Sequence, residues 1–257
     1  MTDYIHGIDI SRYQYDEGLT HKFDFKKAKA KGAQFCGIRA TIGDYYTDAT
    51  LERNVKGAQD AGLVPMPYTA PAYHDGSIKP RVIQPETAVQ RYLDAVGPYD
   101  IDPDANVLDL EIIRGTYAQT RSHWKQFAKA LVKHTASLTW YTRKTIADPV
   151  MTVEAAFWRK WWNWHANYTT AAQPVIASFV DTWHCWQYSS TGYGKDYGAY
   201  STNIDRNWMK PEMFAAITNQ DIPQPVPDPT PIPVPEMPEI LNEIIINGII
   251  YRGEMRR

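Results

Sequence analysis

The sequence predicts an α/β fold: one barrel-sized domain of alternating strands and helices around a parallel sheet, followed by a proline-rich linker and a short β tail. Three observations support this class. Short apolar runs alternate with helix-like segments in the first part of the chain, strand-like runs replace that alternation after Tyr141, and prolines crowd between Pro223 and Pro238. Alternating strand and helix units are typical of a parallel sheet, and the length of 257 residues suits one barrel-sized domain as well as two smaller ones.

Five short apolar runs are the predicted strands of the first part of the chain. Each run has the length of a strand and is followed by residues with helical or turn character. The runs are Ile5 to Ile10, Phe35 to Thr41, Leu63 to Tyr68, Val107 to Leu110 and Leu138 to Tyr141.

Helices are predicted between these strands. The segments are Asp24 to Lys31, Leu51 to Ala61, Pro85 to Val96 and about Gln119 to Lys133. The third helix starts with Pro85, which tolerates the first helical position, and ends at Gly97, a residue common after a helix. The fourth repeats Trp124, Phe127 and Leu131 at helical spacing, which predicts one face buried against the sheet.

After Tyr141 the predicted elements are strands separated by loops and turns more than by long helices. These strands are Trp161 to Tyr168, Trp183 to Tyr188 and Ile204 to Trp208. The barrel is therefore expected to close with simpler β structure. We expect the domain to end near Ile217, which sets the boundaries at 1–217 for the barrel, 218–239 for the linker and 240–257 for the tail.

The linker and tail have contrasting compositions. Prolines at nearly every second position from Pro223 to Pro238 favour a stiff, extended polyproline segment. Beyond it, Ile244 to Tyr251 predicts two short β runs around an Asn-Gly turn. Because a lone hairpin is marginally stable in water, the tail is expected to pair with a second copy of the chain, a larger assembly or the surface of its own domain.

Composition and charge exclude several classes of function. The 27 basic and 29 acidic residues are well mixed and give a net charge of -2, so nucleic acid is not an expected partner. No apolar segment is long enough to insert into a membrane, and the N-terminus lacks the pattern of a signal peptide, which predicts synthesis in the cytoplasm. Cys36 and Cys185 lie in apolar runs and are predicted to be buried thiols; no metal-ligand spacing or cofactor motif is evident.

Carboxylates occur inside or at the ends of three apolar runs. Asp9, the pair Asp109 and Glu111, and Asp205 are these acids. Ionised groups are costly to bury, so acids at several strand ends indicate one shared site. Residues two apart on a strand share a face, and repulsion with partial desolvation raises the pKa of one of two close acids. That combination of a proton donor and a carboxylate serves glycoside hydrolysis.

Salt bridges and helix caps are the alternative roles for these acids. With 29 acidic residues in 257, about three acid pairs two residues apart are expected by chance. Asp9 alone is more typical of a loop or cap, and Asp205 of a turn. The joint placement of the four acids carries the argument, and the pair alone does not.

The motifs around these acids resemble the lysozymes of glycoside hydrolase family 25, the cell-wall muramidases of bacteria and their phages. The resemblance covers about Ile5 to Trp208, with motifs in the order of the family. These motifs are Gly7 to Ser11, Phe35 to Gly43, Asp48 with Asn54 and Ala61 to Leu63, Asp109 to Glu111, Trp164 with Ala166 and Tyr168, Trp186 to Ser189, and Ile204 to Asn207. After Tyr68 the chain departs from the family, with Thr69 and Ala70 in place of a histidine and an aromatic residue.

The resemblance implies an irregular single-domain (β/α) barrel and cleavage of the β-1,4 bond between N-acetylmuramic acid and N-acetylglucosamine in peptidoglycan. It implies Glu111 as the general acid, Asp109 as the neighbouring ionised carboxylate, and Asp9 and Asp205 as the rest of an acidic floor. We expect retention of configuration with assistance from the substrate acetamido group. The alternative is a non-catalytic wall-binding or structural module of a phage-like particle; a zinc amidase or a cysteine peptidase lacks its ligands or its Cys and His pair.

Aromatic and basic residues near the motifs are candidate substrate contacts. They are Tyr68, Arg39, Tyr141, Trp164 and Trp186, with barrel packing as the alternative for the aromatic residues and an internal salt bridge for Arg39. Without a signal peptide, the protein is expected to reach the wall after release or as part of a phage or phage-like particle. Residues 240–257 are the predicted attachment or self-association segment.

Overall fold

The computed structural model describes residues 4–77, 79–218, 243–246 and 249–252. The chain divides into two compact units, Met1–Pro225 and Val226–Arg257. The predicted linker lies outside the described residues from position 219 onward. Within the described ranges, no helix combines the length and the apolar character needed to cross a membrane.

A closed barrel of strands forms the first unit. The nine-stranded sheet contains β1 Ile5–Ile10, β2 Phe35–Ile42, β3 Tyr46–Thr47, β4 Val64–Ala70, β5 Val107–Asp109, β6 Thr139–Thr142, β7 Trp162–Ala166, β8 Cys185–Tyr193 and β9 Asn203–Met209. The strand β3 pairs only with β2, and the other eight strands form the ring because β1 pairs with both β2 and β9. Within the ring, β1, β2 and β4 through β8 run parallel to their neighbours, whereas β9 is antiparallel to both β8 and β1.

Helices connect and cover the strands. They are α1 Phe25–Ala30, α2 Leu51–Asp60, α3 Pro85–Val96, α4 Tyr117–Leu131, α5 Lys144–Met151, α6 Ala155–Trp158 and α7 Pro211–Thr218. Short 3-10 helices lie at Arg12–Gln14, Thr152–Glu154 and Gly194–Tyr197. The longest helix, α4, starts with a capping box in which Thr116 accepts from the Gln119 amide and Gln119 accepts from the Thr116 amide.

The predicted barrel and its simplified closure are confirmed. The strands and the four helices of the first part lie within a few residues of their predicted positions, and the last strand returns as an antiparallel neighbour without a long crossover helix. The short elements β3, α5, α6 and α7 were not predicted. They carry weak signals because β3 has two residues, α6 has four, and α5 contains Pro149, a helix-breaking residue.

Two layers of apolar side chains hold the barrel together. One layer lies between the strands and the surrounding helices. The other fills the barrel interior and includes Phe35, Met66, Val107 and Cys185. Gly7 makes room for this layer, since a Cβ atom there would lie 2.3 Å from the Phe35 ring. The interior is therefore packed, and a cavity can form only beyond it. Side chains of α7 join the same layer and close the end at which the parallel strands begin.

The second unit contains two described strands. They are β10 Glu243–Ile246 and β11 Ile249–Arg252, which pair antiparallel, with Ile246 opposite Ile249. The two residues of the predicted Asn-Gly turn, Asn247 and Gly248, lie outside the described residues. The attachment role of the tail stays a prediction.

Candidate active site

A cavity of about 200 Å³ opens where the parallel strands of the barrel end. Side chains from seven strands, or from residues one or two positions after them, line it: Asp9, Tyr68, Val107, Asp109, Glu111, Tyr141, Arg143, Trp164, Tyr168, Gln187 and Asp205. Within each contributing segment, the lining residues are two or four positions apart. Because alternate residues of a strand point to the same face, each strand delivers side chains to the barrel axis in register.

Seven of the nine predicted site residues line this cavity. They are Asp9, Tyr68, Asp109, Glu111, Tyr141, Trp164 and Asp205. The two others do not line it. Arg39 forms a buried ion pair with Asp48, with 2.8 Å between Nε and Oδ2, which is the internal salt bridge considered from sequence. Trp186 points to the opposite face of β8 from Gln187, because neighbouring strand residues alternate between faces. On that face its indole donates to the Asn167 carbonyl oxygen at 2.7 Å.

Asp9 is held by two amide side chains. Its Oδ2 atom accepts hydrogen bonds from Gln187 Nε2 at 2.9 Å and Asn207 Nδ2 at 2.8 Å. The Trp164 indole N–H donates to Asn207 Oδ1 at 3.0 Å. Because an indole N–H is only a donor, it fixes the orientation of the Asn207 amide with the nitrogen toward Asp9. The carboxylate is therefore oriented before any substrate arrives.

The Gln187 amide is fixed in the same way by two phenols. Tyr141 and Tyr168 both donate to Gln187 Oε1, at 2.9 and 2.7 Å. The amide nitrogen is consequently directed at Asp9. Burial raises the pKa of Tyr141 well above its usual value, so its hydroxyl keeps its proton at neutral pH and remains a donor.

Asp9 and Asp205 face each other across the antiparallel pair of β1 and β9. Their carboxyl groups are hydrogen-bonded, with Asp205 as the protonated donor and Asp9 as the acceptor. Burial, followed by repulsion from Asp9, raises the pKa of Asp205 to about 9. Burial also raises the pKa of Asp9, against the hydrogen bonds that Asp9 accepts. Two close carboxyl groups in a poorly solvated site do not readily ionise together, so this pair favours sharing a proton.

Asp109 is the last residue of β5, and part of its carboxyl group is buried. Its Oδ1 atom is buried and has no hydrogen-bond partner among the described residues. Burial, with repulsion from Glu111 and Asp9, raises the pKa of Asp109 to about 8. The Asp109 carboxyl group is therefore mainly protonated at neutral pH in the free site.

Glu111 lies two residues beyond Asp109, on a segment that is hydrogen-bonded to β6. The Leu110 amide donates to the Tyr141 carbonyl oxygen at 2.8 Å, and Thr142 Oγ1 donates to the Leu110 carbonyl oxygen at 2.8 Å. The Glu111 Oε1 atom accepts from Arg143 Nε at 3.0 Å and Arg143 Nη2 at 2.6 Å. Sequence reasoning gave the proton of the acid pair to Glu111; in this structure Glu111 is ion-paired with Arg143, and its role as proton donor stays a prediction.

Sequence reasoning did not select three polar residues of the cavity: Arg143, Tyr168 and Gln187. Each lies an even number of positions after a residue whose side chain faces the barrel interior, so it points to the same side. Arg143 follows Tyr141 by two positions, Gln187 follows Cys185 by two, and Tyr168 follows Trp164 by four. The signal that finds them is thus the extension of the inward face past the end of each strand. Within the described residues, no group of three or more His, Cys, Asp or Glu side chains has the arrangement of a metal site.

Comparison with known proteins gives one matching family model. The model describes glycosyl hydrolases of family 25 and matches residues 8–197. Among curated proteins, Lysozyme M1 of Streptomyces globisporus is 26% identical over 227 residues, which span 80% of this chain and 68% of that protein.

Solved structures of similar fold include two lysozymes. The bacterial lysozyme of Streptomyces coelicolor has a TM-score of 0.69 at 22% identity, covering 86% of this chain and 100% of its own. A family GH25 lysozyme of Aspergillus fumigatus has a TM-score of 0.65 at 23% identity, covering 84% of this chain and 98% of its own. Both likenesses concern the barrel fold.

Proposed function

The chain belongs to family 25 of the glycosyl hydrolases, and we propose that it is a muramidase. Its substrate is peptidoglycan, and the bond cleaved is the β-1,4 link between N-acetylmuramic acid and N-acetylglucosamine. The lysozyme relatives support this choice of substrate.

The convergence of four carboxyl groups on one cavity carries the proposal. Asp9, Asp109, Glu111 and Asp205 come from β1, β5 and β9 and from the residue two after β5, and all line the cavity. Burial raises the pKa values of three of them, which opposes folding at neutral pH. A purely structural barrel gains nothing from such groups. Glycoside hydrolysis needs both a proton donor and a carboxylate beside the scissile bond.

Glu111 is the general acid in this proposal. It stands at the rim of the cavity, where its side chain is 26% exposed, and a leaving-group oxygen can approach it there. Asp109 lies deeper and orients the acetamido group of the substrate, which attacks the anomeric carbon with net retention. Asp9, fixed by its amide donors, and Asp205 complete the acidic floor. Both Glu111 and Asp109 need substrate-bound protonation states that differ from the free site.

Aromatic side chains of the cavity contact the sugar in this scheme. Tyr68, Tyr141 and Trp164 line the cavity beside the acids. The Tyr68 hydroxyl donates a long hydrogen bond, 3.4 Å to the Ile10 carbonyl oxygen, so its proton can be redirected to a substrate oxygen. Arg39 pairs with Asp48 and Trp186 bonds to Asn167, so both have structural roles in this scheme.

Digestion of purified peptidoglycan tests the proposal. The wild type is expected to release new reducing ends on muramic acid, identified by borohydride reduction and mass spectrometry. Glu111→Gln is expected to lower the rate by about 10²-fold or more, the range of a lost general acid. Glu52→Gln is the matched control, because Glu52 pairs with Lys56 on the exposed face of α2.

Two results would contradict the assignment. Full activity of Glu111→Gln would remove Glu111 from the mechanism. Binding of the wild type to wall sacculi without any soluble fragments would favour a non-catalytic wall-binding module. Proton NMR of the first product formed from an oligosaccharide distinguishes retention from inversion.

For the tail, we propose attachment to a phage-like particle or to a second copy of the chain through residues 240–257. The support is the antiparallel pair of short strands β10 and β11, which needs a larger apolar partner for stability.

A further inference from the structure

Arg143 is the only cationic residue among those that line the cavity in the described part of the chain. It directly follows β6 and occupies the N-cap position of α5. Its side chain is 49% exposed, and that of its partner Glu111 is 26% exposed. The guanidinium therefore stands at the mouth of a cavity that otherwise carries four acids.

The ion pair opposes the acid role proposed for Glu111. A guanidinium stabilises a carboxylate over its protonated form, and both hydrogen bonds of Arg143 reach the same oxygen, Oε1. A general acid must carry a proton when the substrate is in place. Glu111 thus has to lose this partner, or have the charge of Arg143 compensated, before it can donate.

We propose that Arg143 changes partner when substrate binds: it holds Glu111 in the free enzyme and a carboxylate of the wall peptide in the complex. The inference rests on the proposed function and concerns the substrate preference of the same site. The exchange conserves charge, because the guanidinium keeps one anionic partner throughout. Once released, Glu111 faces the remaining acids and takes up a proton on a carboxyl oxygen, while Asp109 gives one up. Asp109 and Glu111 together therefore hold one proton before and after the exchange.

The geometry makes this exchange accessible. Ion pairs that are largely exposed contribute little stability, so a half-exposed pair can be replaced by another of the same kind. A guanidinium has five N–H donors, and Glu111 engages only Nε and Nη2. Arg143 can begin to bind a second carboxylate before it leaves the first. A neutral N-acetylated glycan offers no such group, so the enzyme is expected to prefer glycans that carry acidic peptides.

The test compares one glycan in two charge states. The substrates are untreated peptidoglycan and the same peptidoglycan after carbodiimide amidation of its carboxylates. Wild-type kcat/KM is expected to fall about tenfold on the amidated form, the effect of a lost charge-assisted contact. Arg143→Gln is expected to treat both substrates alike within about twofold, with the alkaline limb of its pH profile moved upward. Arg143→Lys should retain part of the preference.

Arg91→Gln is the matched control. Arg91 lies on α3, donates to Thr47 Oγ1 at 3.1 Å and does not line the cavity. Its preference and pH profile should equal those of the wild type. Equal wild-type cleavage of both substrates would overturn the partner exchange. So would an Arg143→Gln variant that loses the same factor on both substrates with an unchanged alkaline limb, because that pattern describes a merely structural residue.

A second measurement needs no turnover and separates this inference from the proposed function. N-acetylmuramyl dipeptide has a free peptide carboxylate but no glycosidic bond between sugars that the enzyme could cleave. Its addition is expected to move the ¹³C resonance of the Glu111 carboxyl toward the protonated position, whereas the amidated dipeptide should leave it in place. Identical responses to the two ligands would refute the exchange even in an active enzyme. The expected response in an enzyme inactive on peptidoglycan would refute only the proposed function.

Discussion

Replacement of Asp109 by asparagine is expected to stabilise the protein while abolishing its activity. One carboxyl oxygen of Asp109 is buried and has no partner among the described residues, and burial raises the pKa of Asp109 to about 8. Asparagine has nearly the shape of a protonated aspartic acid and never ionises. The substitution therefore removes a titration from the fold and keeps the packing of the site.

The size of the effect follows from the two pKa values of Asp109. The ordinary value is 3.8 and the folded value is about 8. Between these values the folded state binds a proton that the unfolded state has lost, so wild-type stability falls as pH rises through this window. At about 1.4 kcal/mol per pH unit, the ceiling at pH 7 is about 4 kcal/mol. Half of that is a reasonable expectation, because repulsion from Glu111 and Asp9 relaxes as the site rearranges.

Urea unfolding of the wild type and of Asp109→Asn at pH 4, 5.5 and 7 measures this difference. The two proteins should have nearly equal free energies of unfolding at pH 4, and the variant should gain about 0.7 kcal/mol per pH unit above it, which reaches about 2 kcal/mol at pH 7. Asp60→Asn serves as the control, since Asp60 is exposed on the last turn of α2 and surface changes stay within about 0.5 kcal/mol.

A stability difference that is the same at pH 4 and pH 7 would refute the reasoning. A wild type more stable than the variant at pH 7 would do so more directly, because it would mean that ionised Asp109 is stabilised in the folded site. Loss of activity without any gain in stability would leave the catalytic role intact and remove the electrostatic explanation.

Three further outcomes are expected. Gly37→Ala should lower stability by about 1 to 3 kcal/mol and activity by about tenfold or more, measured by urea unfolding and reducing-end release, because its Cβ would lie 2.7 Å from Asp9 Cβ and 2.9 Å from the Trp164 ring. His165→Leu should raise the melting temperature, and more at pH 5 than at pH 7. Both ring nitrogens of His165 are buried without partners among the described residues, and burial lowers the pKa of His165 to about 3. The unfolded state therefore binds a proton as pH falls below 6.5 while the folded state does not, which destabilises the wild type at acidic pH. A chain ending at Pro225 should keep wild-type kcat/KM, and sedimentation should show loss of any association that the full chain displays.

The first part of the fold was predictable because its signals are local. Apolar runs of strand length and a helix such as α4 with one apolar face can be recognised one at a time. The pairing of β9 is different: its residues predict a strand, but nothing in them specifies two antiparallel neighbours. Pairing depends on which strand edges the rest of the chain leaves unpaired, and β9 fills the gap between β8 and β1. The eight-residue helix α5, which contains Pro149, lacks a sufficient local signal.

The site was predictable where chemistry is unusual for its position. A carboxylate at the end of an apolar strand is conspicuous, and all four predicted acids line the cavity. Gln187 and Tyr168 have no such conspicuous chemistry, because an amide and a phenol are common beside strands. Their importance appears only through contacts: Gln187 donates to Asp9, and Tyr168 fixes the Gln187 amide. Arg143 was missed for a further reason, since its partner Glu111 comes from a different strand.

The protons on Asp109 and Asp205 explain how the barrel accommodates four acids in one cavity at neutral pH. With pKa values raised to about 8 and about 9, both are largely uncharged there, and Arg143 pairs with the Glu111 carboxylate. Above these pKa values the same cavity holds four negative charges with one cation. Repulsion then opposes both the fold and the proton of the general acid, so alkaline conditions should impair stability and catalysis for one shared reason.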